Sequence, residues 1–165
     1  MMNRSISESF SGKHILVTGV TGFLGKVWLA MLLDELPEVR KFTILARGQK
    51  GIDAKERFER IYEASPAFRP LREKLGQGVR ALIADKVDVI DAPLSKPLCG
   101  MSEDTARTLI VDVDIVVHFA GLTDFEPDPS HALEANVRGA MHVADLAALS
   151  PSKRYVHCST CFVAG

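Results

Sequence analysis

The chain has 165 residues, of which 47% are hydrophobic and 25% charged, so it is long enough for one globular domain with a substantial core. Its 20 basic and 21 acidic residues give a formal net charge of −1, which argues against a partner such as nucleic acid or an anionic membrane. The polar N-terminus lacks the apolar segment of a signal peptide, and the run VWLAMLL is too short to span a bilayer. Three cysteines argue against a disulfide framework, so the cytoplasm is the expected location.

Strand-like apolar segments alternate with helical segments along the chain. The expected strands are 14–18, 41–46, 79–84, 113–120 and 154–164, and the last of these is either a strand throughout or a strand that enters a loop. The expected helices are 23–36, 53–64 with Asp53 as N-cap, a short one at 70–75, 102–110 with Ser102 as N-cap, and 131–149 with Ser130 as N-cap. Residues 1–12 are expected to form a flexible lead-in to a single domain that covers residues 13–165.

This alternation predicts an α/β fold of the Rossmann type, a doubly wound parallel sheet of about five strands with helices on both faces. Ligands bind such sheets at the carboxyl ends of the strands, near the point where the strand order reverses. The functional loops are therefore expected at 19–25, 47–50, 85–86, 120–125 and 159–165.

The first of these loops reads TGVTGFLG and covers residues 18–25. It follows a strand and opens a helix, a context in which the evenly spaced Gly19, Gly22 and Gly25 indicate a phosphate site. Gly19 would make the tight turn, Gly22 would admit a pyrophosphate to the backbone N–H groups, and Gly25 would let helix and strand pack closely. The other expected cofactor contacts in this loop are Thr18, Thr21, Phe23 and Leu24.

A Walker-type loop is the main rival interpretation of these glycines. Its pattern G-x-x-x-x-G-K-[ST], aligned on Gly25 and Lys26, needs glycine at position 20 and serine or threonine at position 27, and both are valine. A turn that merely joins strand to helix is the other alternative. The spacing T-G-x-x-G-x-x-G resembles the extended short-chain dehydrogenase/reductases rather than the plain fingerprint G-x-G-x-x-G.

The end of the second strand indicates which dinucleotide would bind. NAD sites usually carry Asp or Glu there, but this strand is followed by Arg47. A planar, permanently charged guanidinium suits a 2′-phosphate, so NADPH is the expected cofactor, with Arg57 and Lys50 as weaker contacts. A solvated surface charge is the alternative role for each of them.

Further candidates lie along the remaining loops. Asp85, placed just after the expected third strand, could accept a hydrogen bond from an adenine amino group, and an ordinary loop aspartate is the alternative. The small residues Ala120 and Gly121, followed by Leu122, would let a nicotinamide ribose lie against the backbone. Asn136 lies inside a predicted helix, where asparagine is unfavourable by propensity. This conflict slightly favours a functional role, and an ordinary solvent-facing residue is the alternative.

These segments occur in an order that resembles one family. The chain resembles the NADPH-dependent fatty acyl-CoA reductases and the thioester-reductase domains of carboxylic acid reductases and peptide synthetases. The resemblance lies in TGVTGFLG, Arg47 with Arg57, Asp85, HFAG (118–121), NVRG (136–139) and HCSTCFVAG (157–165). The resemblance implies hydride transfer to an acyl-CoA or acyl-carrier-protein thioester, giving an aldehyde and in some members an alcohol. It implies that Thr160 is the catalytic hydroxyl, with Ser159 and Asn136 beside it.

One part of the family pattern is absent. The catalytic Tyr-x-x-x-Lys has no match, because Tyr62 and Tyr155 are followed four residues later by proline and serine. The 165-residue sequence is therefore expected to be the first part of a longer enzyme. Without the missing part, the outer edge of the last strand is expected to promote self-association.

Three alternatives remain open. One is an NAD-dependent sugar-nucleotide epimerase or dehydratase of the same fold, and another is a non-catalytic nucleotide-binding regulatory module. The third is a metal or redox site at Cys158 and Cys161 within HCSTC. Residues three apart in a strand point to opposite faces, and redox pairs of this spacing open a helix instead. We therefore expect no metal site and a packing role for both cysteines.

The missing tyrosine and lysine lead to a prediction about activity. The 165-residue chain is expected to bind NADPH weakly but to have no reductase activity, since no side chain in the pattern would supply the proton. The check is a spectrophotometric assay of NADPH oxidation with an acyl-CoA, and thioester-dependent oxidation by the purified chain would contradict the prediction.

Overall fold

A computed structural model describes residues 5–49 and 51–160. The expected roles of Lys50 and Cys161 therefore lie outside the described residues. No helix within these ranges has the length and hydrophobicity needed to span a bilayer.

The described residues contain one five-stranded parallel sheet. Its strands are β1 (His14–Thr18), β2 (Lys41–Ala46), β3 (Val87–Asp91), β4 (Ile115–His118) and β5 (Tyr155–His157). Their order is β3-β2-β1-β4-β5, and each neighbouring pair is parallel. The strand order reverses between β1 and β4, as the doubly wound prediction requires. β5 lies at one edge of this sheet, and self-association through that edge stays a prediction.

Helices connect the strands and cover both faces. They are α1 (Ile6–Phe10), α2 (Phe23–Glu35), α3 (Ala54–Ala64), α4 (Arg69–Leu75), α5 (Gly78–Lys86), α6 (Glu103–Ile110), α7 (Pro129–Ala132) and α8 (Gly139–Ala148). Short 3₁₀ turns occur at Pro66–Phe68 and Pro97–Gly100, and a π-helical segment, Leu133–Arg138, joins α7 to α8. Asp53 and Ser102 cap α3 and α6 as predicted, each accepting a hydrogen bond from a first-turn amide.

Two apolar cores form because successive strand residues point to opposite faces of the sheet. In β1, Ile15 and Val17 belong to the core shared with α2 and α3, whereas Leu16 belongs to the core shared with α6 and α8. All five residues of β1 are buried, as expected for a central parallel strand covered on both sides.

The prediction of a third strand at 79–84 is wrong. Those residues form α5, and the strand follows at 87–91. Val79 and Ile83 are four residues apart and both buried, which is the spacing of one helical face, while Ala81 between them is exposed. The sequence VDVID, residues 87–91, is the segment that pairs with β2. Asp85 consequently lies at the amino-terminal edge of the sheet rather than at the carboxyl edge.

Other boundaries also differ from the expectations. The expected flexible lead-in contains α1, where Ser5 and Glu8 form a reciprocal capping box. The helical segment before α8 begins earlier than predicted, because Asp128, not Ser130, accepts the hydrogen bond from the His131 amide. β5 ends at His157, the chain leaves the strand at residues 158–160, and the rest of the predicted segment, 161–164, lies outside the described residues.

The helical assignment of 78–86 makes a testable distinction. Ile83→Ala is expected to lower the free energy of unfolding by about 2–4 kcal/mol, because it removes a buried side chain from the core. Ala81→Lys is expected to change it by less than about 0.5 kcal/mol, because Ala81 is exposed on the helix. Urea unfolding measures both. In a strand Ala81 would share a face with Ile83, so a large loss for Ala81→Lys would contradict the assignment.

Candidate functional site

A cleft of about 390 Å³ opens at the carboxyl edge of the sheet. Its walls come from the loops that follow β1, β2, β3 and β4, and from the helical stretch between α7 and α8. Eight of the residues expected to contact a cofactor line it, namely Gly19, Thr21, Gly22, Arg47, Arg57, Ala120, Gly121 and Leu122. The strand-order reversal therefore coincides with the cavity, as the fold class predicts.

The glycine loop is shaped by close backbone contacts. Gly19 has φ +77°, and a Cβ on it would lie 2.4 Å from the Ala120 nitrogen. A Cβ on Gly25 would lie 2.6 Å from the Gly19 oxygen. Gly22 is the N-cap of α2 and has no side chain with which to cap it, so the first-turn amides of this helix are suited to an anionic ligand.

Four residues predicted in this loop do not line the cleft. Phe23 is 81% exposed and Leu24 is 49% exposed on the first turn of α2. Gly25 packs against Gly19, and Thr18 is completely buried. The Thr18 hydroxyl oxygen lies 2.7 Å from His118 Nδ1 and accepts a hydrogen bond from the Ala120 amide at 3.3 Å. Thr18 thus supports the wall of the cleft from behind.

Two guanidinium groups stand at the end of β2. Arg47 and Arg57 both line the cleft, and Arg57 Nη1 donates to the Arg47 carbonyl oxygen at 3.0 Å. Within residues 5–49 and 51–160 neither guanidinium forms an ion pair with a carboxylate. The positive charge at this end of the cleft is therefore available to an anionic group.

Asp85, expected near the adenine, lies on α5 and does not line the cleft. The aspartate at the carboxyl end of β3 is Asp91, whose Oδ1 accepts a hydrogen bond from the Gly48 amide at 3.3 Å. The following residues, Ala92 and Pro93, form part of the cleft wall and were missed by the sequence interpretation. The β-branched residues of VDVID, a short segment that ends in an aspartate, were the signal that could have identified this strand and its end.

Asn136 holds the opposite wall rather than lining the cleft. Its Oδ1 accepts from the Leu122 amide at 2.6 Å, and its Nδ2 donates to the Leu122 carbonyl at 3.0 Å. Asn136 lies in the π-helical segment, and such wide turns often occur at functional sites. The catalytic role expected for Asn136 stays a prediction, and its two observed hydrogen bonds hold the Leu122 backbone. His131, Glu134 and Ala135, which the sequence interpretation missed, line the cleft from this helical stretch.

A buried histidine lies behind the cleft. His118 is 1% exposed, and its Nε2 has no hydrogen-bond partner among the described residues. Its ring centroid lies 4.9 Å from that of His157 and 6.3 Å from that of Tyr155. Burial, and secondarily the proximity of His157, lowers the pKa of His118 to about 4. His118 is therefore neutral at physiological pH.

Ser159 and Thr160 follow β5 at the same edge of the sheet as the cleft. The Cys158 amide donates to the His118 carbonyl at 3.0 Å, which extends the β4–β5 pairing toward these two residues. Both are exposed, and neither is part of the cleft wall. Their catalytic roles stay predictions.

The two described cysteines differ in their surroundings. Cys99 is buried in the core beside α6 and α8, and burial raises the pKa of its thiol to about 12. Cys158 is exposed, so the expected packing role is wrong for this residue in the described structure. The described part of the chain contains no cluster of three His, Cys, Asp or Glu side chains that could hold a metal ion.

The lowered pKa of His118 leads to a prediction about stability. Its value is about 4 in the folded chain and 6.5 ordinarily, so the unfolded chain binds the proton more tightly. The contribution of His118 to the free energy of unfolding is therefore complete above pH 6.5 and falls as the pH drops from 6.5 to 4. The loss between pH 7.5 and pH 5 is about 2 kcal/mol.

Urea unfolding of the wild type and of His118→Asn at both pH values measures this effect. The variant keeps a polar atom near the Nδ1 position but does not titrate, so its loss of stability on acidification should be smaller by that amount. The burial-lowered pKa of His14 adds a loss of the same sign that both proteins share. Identical pH dependence in the two proteins would contradict the assignment.

Comparison with known proteins identifies the family. Residues 17–165 match the model of the NAD-binding family described as male sterility protein. Fatty acyl-CoA reductase 1 of Xenopus laevis is 32% identical over 96% of this chain and 30% of its own length. The alcohol-forming fatty acyl-CoA reductase of Simmondsia chinensis is 30% identical over 98% of this chain and 33% of its own length.

A solved structure has the same fold. The reductase domain of a nonribosomal peptide synthetase from Mycobacterium tuberculosis superposes with a TM-score of 0.68 and 27% identity, over 92% of this chain and 34% of that one. The chain thus spans about a third of the length of the relatives it matches. The family match, together with the glycine-loop cleft at the strand-order reversal, shows that the chain belongs to the male sterility protein family of NAD-binding Rossmann domains.

Proposed function

We propose that this chain is the cofactor-binding part of an NADPH-dependent reductase that acts on fatty acyl thioesters. The observation that carries the proposal is the pair of guanidinium groups, Arg47 and Arg57, which line the glycine-loop cleft and form no ion pair with a carboxylate among the described residues. The thioester substrate is supported by the relatives, which are named fatty acyl-CoA reductases, and by the reductase-domain structure.

The residues of the cleft fit such a cofactor from end to end. The backbone of Gly19 and Gly22, with the first-turn amides of α2, would bind the pyrophosphate. Arg47 and Arg57 would bind the 2′-phosphate, and planar bidentate donors are well suited to that group. Asp91 takes over the adenine-side role first expected for Asp85, since it lies at the end of β3 beside the wall formed by Ala92.

The other end of the cleft is suited to the nicotinamide side. The wall here consists of backbone and of the small residues Ala120 and Gly121, followed by Leu122. Asn136 holds the Leu122 backbone in place through two hydrogen bonds. NADPH supplies the hydride for the reduction. A fixed backbone at this position would orient the bound nicotinamide toward the substrate, which is the positioning on which transfer depends.

Thr160 and Ser159 are proposed to serve the substrate. Each lies just after β5 at the cleft edge of the sheet, where a hydroxyl could donate a hydrogen bond to the thioester carbonyl oxygen. One hydride added to the carbonyl carbon, followed by loss of the thiolate, gives the aldehyde. A second hydride and a proton give the alcohol, as the name of the Simmondsia relative states for that protein.

A non-catalytic NADPH-binding module is a second candidate. It would use the same glycine-loop cleft for the nucleotide and would differ from the first candidate in having no catalytic step. An NAD-dependent sugar-nucleotide enzyme is less well supported, because residues 47–49 after β2 read Arg-Gly-Gln and contain no carboxylate.

Cofactor preference tests the proposal. Arg47→Ala is expected to raise the Kd for NADPH about tenfold or more and to leave the Kd for NADH unchanged, because only NADPH carries the 2′-phosphate that the guanidinium would bind. Titration of cofactor fluorescence measures both constants.

Arg60→Ala is the matched control, since Arg60 lies on α3 one turn beyond Arg57 and is paired with Glu56. It should change neither constant. A wild-type preference for NADH, or an equal loss of affinity for both cofactors in Arg47→Ala, would overturn the proposed specificity.

A further inference from the structure

We propose that His118 and Thr18 are positioning residues that hold three separate segments of the cofactor site in one fixed arrangement. These segments are the glycine loop, the Ala120–Leu122 wall and the Ser159–Thr160 segment after β5. The inference deepens the proposed function and rests on it, because it assigns these two residues to the support of the NADPH cleft.

The first link joins the two central strands at their carboxyl ends. Thr18 is the last residue of β1 and His118 the last of β4, and the two are register partners in the sheet. Both side chains are buried, and the Thr18 Oγ1 to His118 Nδ1 distance of 2.7 Å is that of a strong hydrogen bond. The residue after Thr18 is Gly19, so this bond fixes the start of the glycine loop.

The second link reaches the cleft wall. Thr18 Oγ1 also accepts a hydrogen bond from the Ala120 amide at 3.3 Å, and Ala120 lines the cleft. The Gly19 backbone packs directly against the same amide, leaving no space for a Cβ. A shift of the Thr18 hydroxyl would therefore move the Ala120 backbone relative to the glycine loop, and the two form facing parts of one binding surface.

The third link reaches the segment after β5. The His118 carbonyl oxygen accepts from the Cys158 amide at 3.0 Å, immediately before Ser159. The His118 ring also packs beside Tyr155 and His157, the first and last residues of β5. His118 thus bonds to the start of the glycine loop through its side chain, and it contacts β5 and the residue after it through its ring and its backbone carbonyl.

The unpartnered Nε2 of His118 supports a functional reason for this ring. A buried polar atom without a partner among the described residues is unfavourable, and an apolar side chain of similar size would avoid that cost. An apolar side chain would also lose the Nδ1 bond to Thr18. The arrangement is consistent with a histidine retained for that bond despite its unfavourable burial.

A second pair in the same sheet provides a matched control. Thr43 of β2 is buried, and its Oγ1 lies 2.8 Å from His14 Nε2. His14 begins β1 at the amino-terminal edge, whereas Thr18 and the cleft lie at the carboxyl edge. Thr18→Val and Thr43→Val therefore each remove one buried hydroxyl from one buried histidine, and only the first is near the cleft.

The test measures amide hydrogen exchange in the free 165-residue chain. In each variant, exchange rates are divided by that of the Ile44 amide in β2, which serves as an internal reference for global opening. Thr18→Val is expected to speed exchange at Ala120 and Cys158 about three- to tenfold relative to Ile44, because each of these amides depends on the linked hydrogen bonds. Thr43→Val should leave these ratios unchanged even where it lowers global stability. Thr18→Ser, which keeps the hydroxyl, should restore the wild-type ratios.

The Kd for NADPH provides the second measurement. Thr18→Val is expected to raise it about three- to tenfold, and Thr43→Val and Thr18→Ser are expected to leave it near the wild-type value. If Thr18→Val does not fold, His118→Asn and His118→Leu replace it, since asparagine can keep the bond to Thr18 and leucine cannot.

Equal exchange ratios and equal Kd values in Thr18→Val and Thr43→Val would overturn the positioning role. If His118→Asn and His118→Leu are used instead, equal exchange ratios and equal Kd values in these two variants would also overturn the positioning role. Failure of the wild-type chain to bind NADPH would overturn the proposed cofactor, while the exchange ratios in the free chain would still decide whether His118 and Thr18 hold the wall.

Discussion

The close approach of the glycine loop to the end of β4 is the constraint on which the site depends. Gly19 sits against the Ala120 amide at a distance that excludes any Cβ, and its positive φ turns the chain directly into α2. A Cβ is likewise excluded at Gly25, in the first turn of the helix, by the Gly19 carbonyl. Because α2 packs closely against the glycine loop, its amino terminus lies at the carboxyl edge of the sheet, where the strand order reverses. A ligand bound there would contact the first-turn backbone amides of α2.

The buried polar groups around this approach fall into two sets at opposite edges of the sheet. At the amino edge, His14 is bonded through both ring nitrogens, to Thr43 and to Asp112, and the arrangement is that of a satisfied structural network. At the carboxyl edge, His118 is bonded through Nδ1, and its Nε2 has no partner within residues 5–49 and 51–160. Incomplete satisfaction of buried polar groups is most often tolerated at functional sites, where position takes precedence over stability.

The charge distribution of the cleft complements this geometry. The two ends of the dinucleotide site differ in kind, with guanidinium groups beside β2 and small apolar residues with bonded backbone beside β4. The basic end would select a phosphate by charge, whereas the backbone end, braced by Asn136 and Thr18, would act through position. In the proposed NADPH site, affinity and orientation would depend on separate walls of one cleft.

Local sequence patterns were sufficient for much of this description. The apolar run of β1, the glycine spacing at 18–25 and Arg47 after β2 are contiguous signals, so the fold class, the glycine loop and the basic end of the cleft follow from them. A strand buried on both faces carries little periodicity, however, and the helix at 78–86 has an apolar run that is equally compatible with a strand. The misplaced third strand, and with it Asp85 in place of Asp91, comes from that ambiguity.

Residues that contribute backbone geometry or formal charge could be predicted from sequence, because their signals lie within a few neighbouring positions. Only the tertiary structure decided the contacts between segments about a hundred residues apart, such as Thr18 with His118 and with Ala120, or across a loop, such as Asn136 with Leu122. The physical reason is that hydrogen-bond partners depend on strand register and helix packing. These become fixed only when both cores are assembled.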